Sequence, residues 1–424
     1  MKAYLTIASN TLFQLLSRAA TAIIALIVTR LITQNLGLQG YGDYQIVLSF
    51  VTLFWILTDF GLNAVVVREM ASNEERLQSL FSALFSLRTA LGVFLVFLCL
   101  AILSFLPYQP AVKLGVIVAS LTIFAQGLMG ASHGIFQVKL RYERLFISNL
   151  IGSLLLLALM LWATSAKLGV VALSFAFTTG YLVMTIASLL FIRTWVKLKF
   201  SFDKALLKHL FIKTLPFGTA LLFSLATFKI DAILLSVLPL AAISNNEAVG
   251  IYNLSCKVFE LALVVPTFFM NVMYPILIRH FEESLTKFKS TFLKTLGSLS
   301  FAGIAAAILI YFLAPFIVQA LAKGEGFTPS INVLRILILA SPVFYLSSLF
   351  MWVVLVFKKQ KALIFIYLIS FIFNFLTNYH FIPKYTYTAA AIITGATEAL
   401  TLLILISASI YFWRQHLAET SVLR

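Results

Sequence analysis

The sequence predicts an all-α polytopic membrane protein, with about twelve transmembrane helices in two parallel six-helix bundles around a central cavity. Three observations lead there. The 424 residues are 61% hydrophobic and only 11% charged, with a mean hydropathy of +1.02, a balance no soluble domain carries. Apolar runs long enough to cross a hydrocarbon core of about 30 Å recur along the whole chain. The basic residues fall on one side of the membrane in alternate connections, as the positive-inside rule requires. Apolar and polar residues do not alternate within the runs, which excludes a membrane β-barrel.

In chain order the runs lie near 10–33, 44–67, 80–106, 111–137, 145–165, 169–192, 212–238, 248–278, 291–319, 331–357, 361–382 and 388–413. Arg18 interrupts the first run, and no small-residue cleavage site follows it, so the segment is read as a retained helix and not a signal peptide. The fifth and sixth runs are divided only by Ala166-Lys167-Leu168. The eighth is unusually long and holds Pro266 and Pro275, and the tenth holds Pro342; each removes a backbone donor and permits a bend.

With the N-terminus inside, twenty-one basic residues lie in cytoplasmic positions, from Lys2 to Arg424. The opposite connections hold only Lys113, Lys167, Lys323 and Lys384. Both termini are therefore expected in the cytoplasm, and the net charge of +16 reflects the inner-leaflet side and not a nucleic-acid partner. The basic connection 193–213 divides an N-terminal half (1–192) from a C-terminal half (214–424). Residues 200–211 (FSFDKALLKHLF) place apolar residues at helical spacing between lysines. That suits either an amphipathic helix on the anionic leaflet or a plain basic linker.

The halves echo each other. Gly40-Tyr41-Gly42-Asp43-Tyr44 joins the first two helices of one, and Val249-Gly250-Ile251-Tyr252 occupies the same place in the other. Each glycine suits a tight helix start and each tyrosine a membrane interface. Six helices per half give the halves one orientation, a parallel repeat of the kind that places a substrate site between them.

The residues that carry chemistry are those that hydrocarbon disfavours. A cation at mid-membrane costs about 2.5–3.5 kcal/mol on insertion scales unless it faces protein or water. Arg18, Arg88, Lys229 and Lys257 all lie inside apolar runs. Arg18 shares a stripe with Asn10, Gln14, Ser17, Thr21 and Thr29, since Thr29 falls only about 20° from it at 100° per residue; Arg30 points away and reads as a snorkelling anchor. Lys229 and Asp231, two apart, project to nearly opposite sides and cannot form a simple pair. Lys257 and Glu260, three apart, could pair, or Lys257 could face the cavity. Arg88 could face the cavity or snorkel, the cavity being favoured. Asp59 could bind a coupling cation or proton, partner an arginine, or cap a bend, and Glu398 is similarly open. These candidates sort into an anion set (Arg18, Lys229, Lys257, Arg88) and a sugar or coupling-ion set (Asn10, Gln14, Asp59, Asp231, Glu260, Glu398).

Other features exclude classes. Cys99 and Cys256 lie in apolar runs and offer no disulfide framework or metal spacing; there is no nucleotide-binding loop and no nucleophile elbow. The sequon at Asn253 falls at a membrane helix. The outward connections are short, which argues against a membrane glycan polymerase. A cation-coupled multidrug exporter is disfavoured by the excess of intramembrane cations.

Gly37-Leu38-Gln39-Gly40-Tyr41-Gly42-Asp43-Tyr44, Asp59-Phe60-Gly61-Leu62 and Arg68-Glu69-Met70-Ala71 resemble the opening helices of polysaccharide-biosynthesis exporters. The second half resembles the same family at Leu215-Pro216-Phe217-Gly218, Lys229-Ile230-Asp231, Val249-Gly250-Ile251-Tyr252, Pro275, Asn374 and Ile382-Pro383-Lys384-Tyr385. These are the Wzx-type O-antigen flippases of the multidrug/oligosaccharidyl-lipid/polysaccharide (MOP) superfamily, whose twelve helices suit this chain better than the fourteen of lipid II flippases. The chain departs from them at Tyr387-Thr388-Ala389-Ala390-Ala391, where a Gly-Ala-Ala continuation is usual, and at Asn378, followed by Tyr379. The resemblance implies a MATE-like fold in the inner membrane and no cofactor, with possible coupling to a proton or sodium gradient. It implies a substrate of oligosaccharide on undecaprenyl pyrophosphate, moved between leaflets by alternating access with Arg18 and Lys229 foremost in binding the pyrophosphate. Membrane lipids, the polysaccharide polymerase and the chain-length machinery are the partners it suggests.

Overall fold

The computed structural model describes residues 2–422. Arg424, expected on the cytoplasmic side, lies outside the described residues, as do the side chains of Lys2, Pro216 and Phe217. Among the described residues every regular element is helical: α1 (Lys2–Asp59), α2 (Leu62–Ser72), α3 (Leu77–Phe105), α4 (Pro110–Val138), α5 (Tyr142–Ser165), α6 (Gly169–Ile192), α7 (Lys204–Val237), α8 (Asn245–Ala262), α9 (Val264–Glu283), α10 (Leu285–Leu321), α11 (Pro329–Leu339), α12 (Ser341–Val356) and α13 (Gln360–Val422). Two of these are each a pair of spans joined by one non-helical residue, Gly37 in α1 and Thr386 in α13. Counted as spans, with α1 and α13 divided and the pieces α8/α9 and α11/α12 joined, the twelve runs of the sequence are all present.

The joints differ from expectation in instructive ways. The turn between the first two spans is made by Gly37, at φ 68° and ψ −165°, a conformation that only glycine adopts without strain; Gly40 and Gly42 are helical. Tyr44 and Tyr252, read as interfacial, are both buried. The second span is not continuous to 67: α1 stops at Asp59, Phe60 and Gly61 take φ of 36° and 72°, and α2 restarts at Leu62. The long eighth run breaks at Leu263. Pro266 cannot bond the carbonyl of Ala262 and its ring crowds it, and the hydroxyl of Tyr345 on α12 donates to that oxygen at 2.8 Å instead. Pro342 likewise follows the break at Ala340 between α11 and α12.

The basic connection is ordered backbone followed by helix, not a separate surface helix. Gln78 clasps Lys197 from both ends, accepting from its N–H at 2.7 Å and donating to its carbonyl at 2.9 Å. The Asp203 carboxylate then accepts from the N–H groups of Ala205 and Leu206, the cap that starts a helix. From Lys204 the helix runs 34 residues to Val237. Among its first turns Glu69 of α2 holds Lys213 and His209; burial would raise the Glu69 pKa, but the hydrogen bonds and charges of Lys213 and His209 outweigh it and hold the carboxyl below its usual value.

The chain forms two compact units. The first runs to Leu222 and adds Leu321–Lys323; the second comprises Phe223–Ala320 and the chain from Gly324. In the first, α4 and α5 pack on α6, and Gly152 lets α5 approach so closely that a Cβ there would stand 2.6 Å from the carbonyl oxygen of Gly180, the small-residue packing of membrane helices. In the second, α12 packs on α13 and α9, and α11 on α8. Large outward side chains such as Phe105 and Phe301 are exposed. They suit hydrocarbon as the surrounding solvent, and the chain is a multi-pass membrane protein.

Candidate functional site

Three polar centres lie within the apolar spans, one in the first unit and two in the second. The first surrounds Arg88 on α3. Its guanidinium pairs with Asp59 at 2.5 Å and donates to the Gly127 carbonyl at 2.8 Å, and the side chain is 1% exposed. Gly130 on α4 makes the room: a Cβ there would stand 1.9 Å from Nη1. Arg88 therefore neither faces a cavity nor snorkels. It reaches across to Asp59, the last residue of α1 before the left-handed Phe60-Gly61 step, and fixes that break. The half-exposed Asp59 takes the arginine partner that was one of its three sequence readings.

Unequal burial gives this pair an asymmetric response. Asp59→Ala leaves a fully enclosed guanidinium unpaired and is expected to destabilise the protein by about 3–5 kcal/mol. Arg88→Met leaves only a carboxylate that water can reach, and is expected to destabilise it clearly less. Thermal unfolding of the purified variants in one detergent checks the order.

The second centre joins α7 and α8. Lys229 Nζ lies 2.7 Å from Glu260 Oε1, with the two side chains 33% and 41% exposed. Glu260 thus pairs between helices, and the intrahelical Lys257–Glu260 pair does not form; Lys257 has no ion-pair partner within 4.0 Å among the described residues, though it interacts electrostatically with both neighbours. One carboxylate therefore stands near two lysines and pairs with Lys229. Among these three groups one positive charge is left over inside an apolar span.

The third centre is Asp231, fully buried on the opposite side of α7, as a two-residue offset dictates. Its carboxylate accepts from Tyr252 at 2.8 Å and Thr394 at 2.7 Å on one oxygen and from Asn378 at 2.7 Å on the other. No basic side chain pairs with it among the described residues. Asn378 also donates to Asn374 Oδ1, whose amide in turn donates to Thr397. The Asn378 carbonyl oxygen is buried without a partner. The Thr394 hydroxyl has one proton and three oxygens in reach, Asp231, the Ala390 carbonyl and the Tyr252 hydroxyl. It can donate to the carboxylate when that is charged and turn to Ala390 when Asp231 carries a proton of its own.

The stripe on the first helix divides. The Asn10 carbonyl accepts from the Tyr142 N–H at 3.3 Å and Ser17 accepts from Asn149 at 3.1 Å, so this pair, seven residues apart, faces α5. Thr21 and Thr29 bond back to carbonyls of their own helix. Gln14 is partly exposed, and Arg18, one step round from Ser17, is exposed. Glu398 on α13 is half-buried within electrostatic reach of Tyr367. Thr394 was missed by sequence reading. Its signal is the threonine series Thr394, Thr397 and Thr401 at helical spacing, all three buried.

The architecture has solved counterparts. An inward-facing multidrug resistance MATE family transporter of the MOP superfamily superposes with a TM-score of 0.78 at 14% identity, covering 93% of this chain and 95% of that one. The lipid II flippase MurJ, in an inward closed conformation, superposes at 0.75 and 14% identity over 95% and 90%. A MOP superfamily transporter from Pyrococcus furiosus, described by a binding pocket of reverse polarity, gives 0.66 at 14% over 97% and 95%. These likenesses establish the fold. No curated protein matches the sequence significantly. Residues 7–281 match the sequence family described as "Polysaccharide biosynthesis protein".

Proposed function

Because the chain belongs to the polysaccharide biosynthesis protein family, we propose that it is a flippase. It moves oligosaccharide repeat units of a surface polysaccharide, carried on undecaprenyl pyrophosphate, from the cytoplasmic to the outer leaflet of the bacterial inner membrane by alternating access. The observation that carries this reading is the lysine centre: Lys229 pairs with Glu260, Lys257 has no ion-pair partner among the described residues, and the three groups leave a net positive charge in an apolar span. A pyrophosphate crossing the membrane loses hydration that hydrocarbon cannot replace. An ammonium that can exchange a partly exposed carboxylate for a phosphate supplies the compensation, and Arg18 on the first helix of the other unit is a second candidate. A cationic drug would call for the opposite charge, which disfavours a multidrug exporter. The Lys/Arg asymmetry supports the cytoplasmic termini.

Asp231 is the proposed coupling site. A buried carboxylate without a basic partner is tolerable when it carries a proton or a small cation, and the surrounding oxygens (two hydroxyls and the partnerless Asn378 carbonyl) suit either. The cation here is cargo and not a resident metal.

The test uses proteoliposomes and oligosaccharide on three carriers: polyprenyl pyrophosphate, polyprenyl monophosphate and neutral polyprenol. Accessibility of the sugar to an impermeant lectin reports translocation. The pyrophosphate carrier is expected to be moved fastest and the neutral carrier at the protein-free rate. Equal rates on all three would remove the pyrophosphate from the mechanism.

A further inference from the structure

A cleft of about 400 Å³ lies in the second unit, where the start of α10, the end of α12 and the end of α13 meet. Phe288, Phe292, Phe350, Phe357 and Trp413 form its walls, and Leu293 and Ile410 beside it are exposed to the bilayer. Polar groups at two depths break this apolar surface. Lys289 and Arg414 stand exposed at the rim, and neither pairs with a carboxylate among the described residues. Ser409 lies five residues, or about 7 Å, deeper along α13. It is 6% exposed, and its hydroxyl has no hydrogen-bond partner. Its neighbours Ser407 and Thr401 bond back to their own helix; Ser409 does not, and it lines the cleft. Below it the cleft is apolar down to Ile406, so its lining extends about 12 Å along α13, within the ~15 Å depth of one leaflet.

Cation, hydroxyl and hydrocarbon in that order match a glycerophospholipid: phosphate outermost, ester carbonyl several ångströms deeper, acyl chain below. We propose that this cleft binds an anionic diacyl glycerophospholipid of the cytoplasmic leaflet, with its phosphate on Lys289 and Arg414, an ester carbonyl on Ser409 and one chain between the phenylalanines and Trp413. The side of the membrane follows from the Lys/Arg asymmetry, and the site is independent of what the protein carries. A polyprenyl chain would leave the Ser409 hydroxyl unsatisfied, because it has no carbonyl at that depth. The adjoining Lys358, Lys359 and Lys361, with Lys359 over the Phe412 ring, extend the same positive surface.

The probe is phosphatidylglycerol with brominated acyl chains, a contact quencher of tryptophan, as a minor component of phosphatidylcholine nanodiscs holding the full-length protein. Trp413→Phe identifies the signal from the cleft. Brominated phosphatidylglycerol is expected to quench Trp413 at concentrations where brominated phosphatidylcholine does not. Lys289→Gln with Arg414→Gln is expected to weaken that preference roughly tenfold or more. A diether phosphatidylglycerol should bind roughly three- to tenfold more weakly than the diester, and Ser409→Ala should remove that difference. Native mass spectrometry of the same variants, counting retained phosphatidylglycerol, gives a readout that does not depend on Trp413. Equal quenching by both headgroups would mean ordinary boundary lipid, and displacement of the probe by unbrominated polyprenyl phosphate at far lower concentration than by unbrominated phosphatidylglycerol would assign the cleft to a prenyl chain. Either result overturns the proposal.

Discussion

Lys229→Gln is expected to lower affinity for a polyprenyl-pyrophosphate oligosaccharide by roughly 10- to 150-fold, the worth of one hydrogen bond to a charged group at about 1.5–3 kcal/mol. The same loss would follow if Lys229 only neutralised Glu260, so the single variant does not decide. The pair of helices α7 and α8 offers a cleaner comparison. Glu260→Gln removes the carboxylate that pairs with Lys229 and attracts Lys257 electrostatically. If the lysines bind the pyrophosphate, this variant binds substrate at least as tightly as the unmodified protein, and the double variant Lys229→Gln/Glu260→Gln remains defective. If Lys229 merely balances Glu260, the double variant recovers binding. Both side chains are partly exposed, so either can lose its partner without the penalty of a fully enclosed charge, and the variants are expected to fold. Titration of purified protein at two ionic strengths supplies a second check. An electrostatic contact weakens with salt, and the salt dependence should be shallower in Lys229→Gln. Normal binding by Lys229→Gln would dispose of the cationic centre.

The twelve spans were legible because their signal is summed over some twenty residues each, and no tertiary contact is needed to read it. Joints and partners are set by single residues and by neighbours far along the chain. Gly37 could not be told from Gly40 or Gly42, since all three permit a turn and only the packing selects one. Pro266 marked a bend, but the hydroxyl that satisfies the freed carbonyl comes from Tyr345, some eighty residues on. The same limit governs the charges. Helical spacing showed that Lys229 and Asp231 face apart, and the structure has them so. It also permitted a Lys257–Glu260 pair, which an interhelical lysine pre-empts at 2.7 Å. Arg88 looked like a cavity cation because its enclosure depends on Gly127 and Gly130, some forty residues away on α4. Tyr252 drew notice through the internal repeat but was assigned to the interface. Its hydroxyl instead reaches Asp231, a contact invisible until α8 is brought beside α7.

Asp231→Asn is expected to uncouple transport from the ion gradient while leaving the fold intact. The substitution keeps the shape and removes the charge. One carboxylate oxygen becomes an amide that must donate, and two acceptors lie near it: the Thr394 hydroxyl, once its proton turns to the Ala390 carbonyl, and the Asn378 carbonyl, which has no partner in the present arrangement. A buried charge with no basic partner is also removed, so thermal stability is expected to hold or rise. Function should fall instead. In proteoliposomes, translocation by the unmodified protein should accelerate when a proton or sodium gradient is imposed. By the coupling reading, one of these two gradients acts through Asp231, and whichever it is should have no effect on Asp231→Asn. Equilibrium binding of the pyrophosphate carrier should survive, because Lys229 lies on the opposite side of α7 from Asp231. Thr394→Val separates the two ions. Losing the hydroxyl removes an oxygen that a sodium ion could use, but leaves a carboxylate that still holds its Tyr252 and Asn378 hydrogen bonds and can take up a proton from water, so sodium coupling would fail and proton coupling would persist with a shifted pH dependence. An Asp231→Asn protein that still responds to both gradients as before would place the coupling ion elsewhere, and Glu398 would become the residue to replace next.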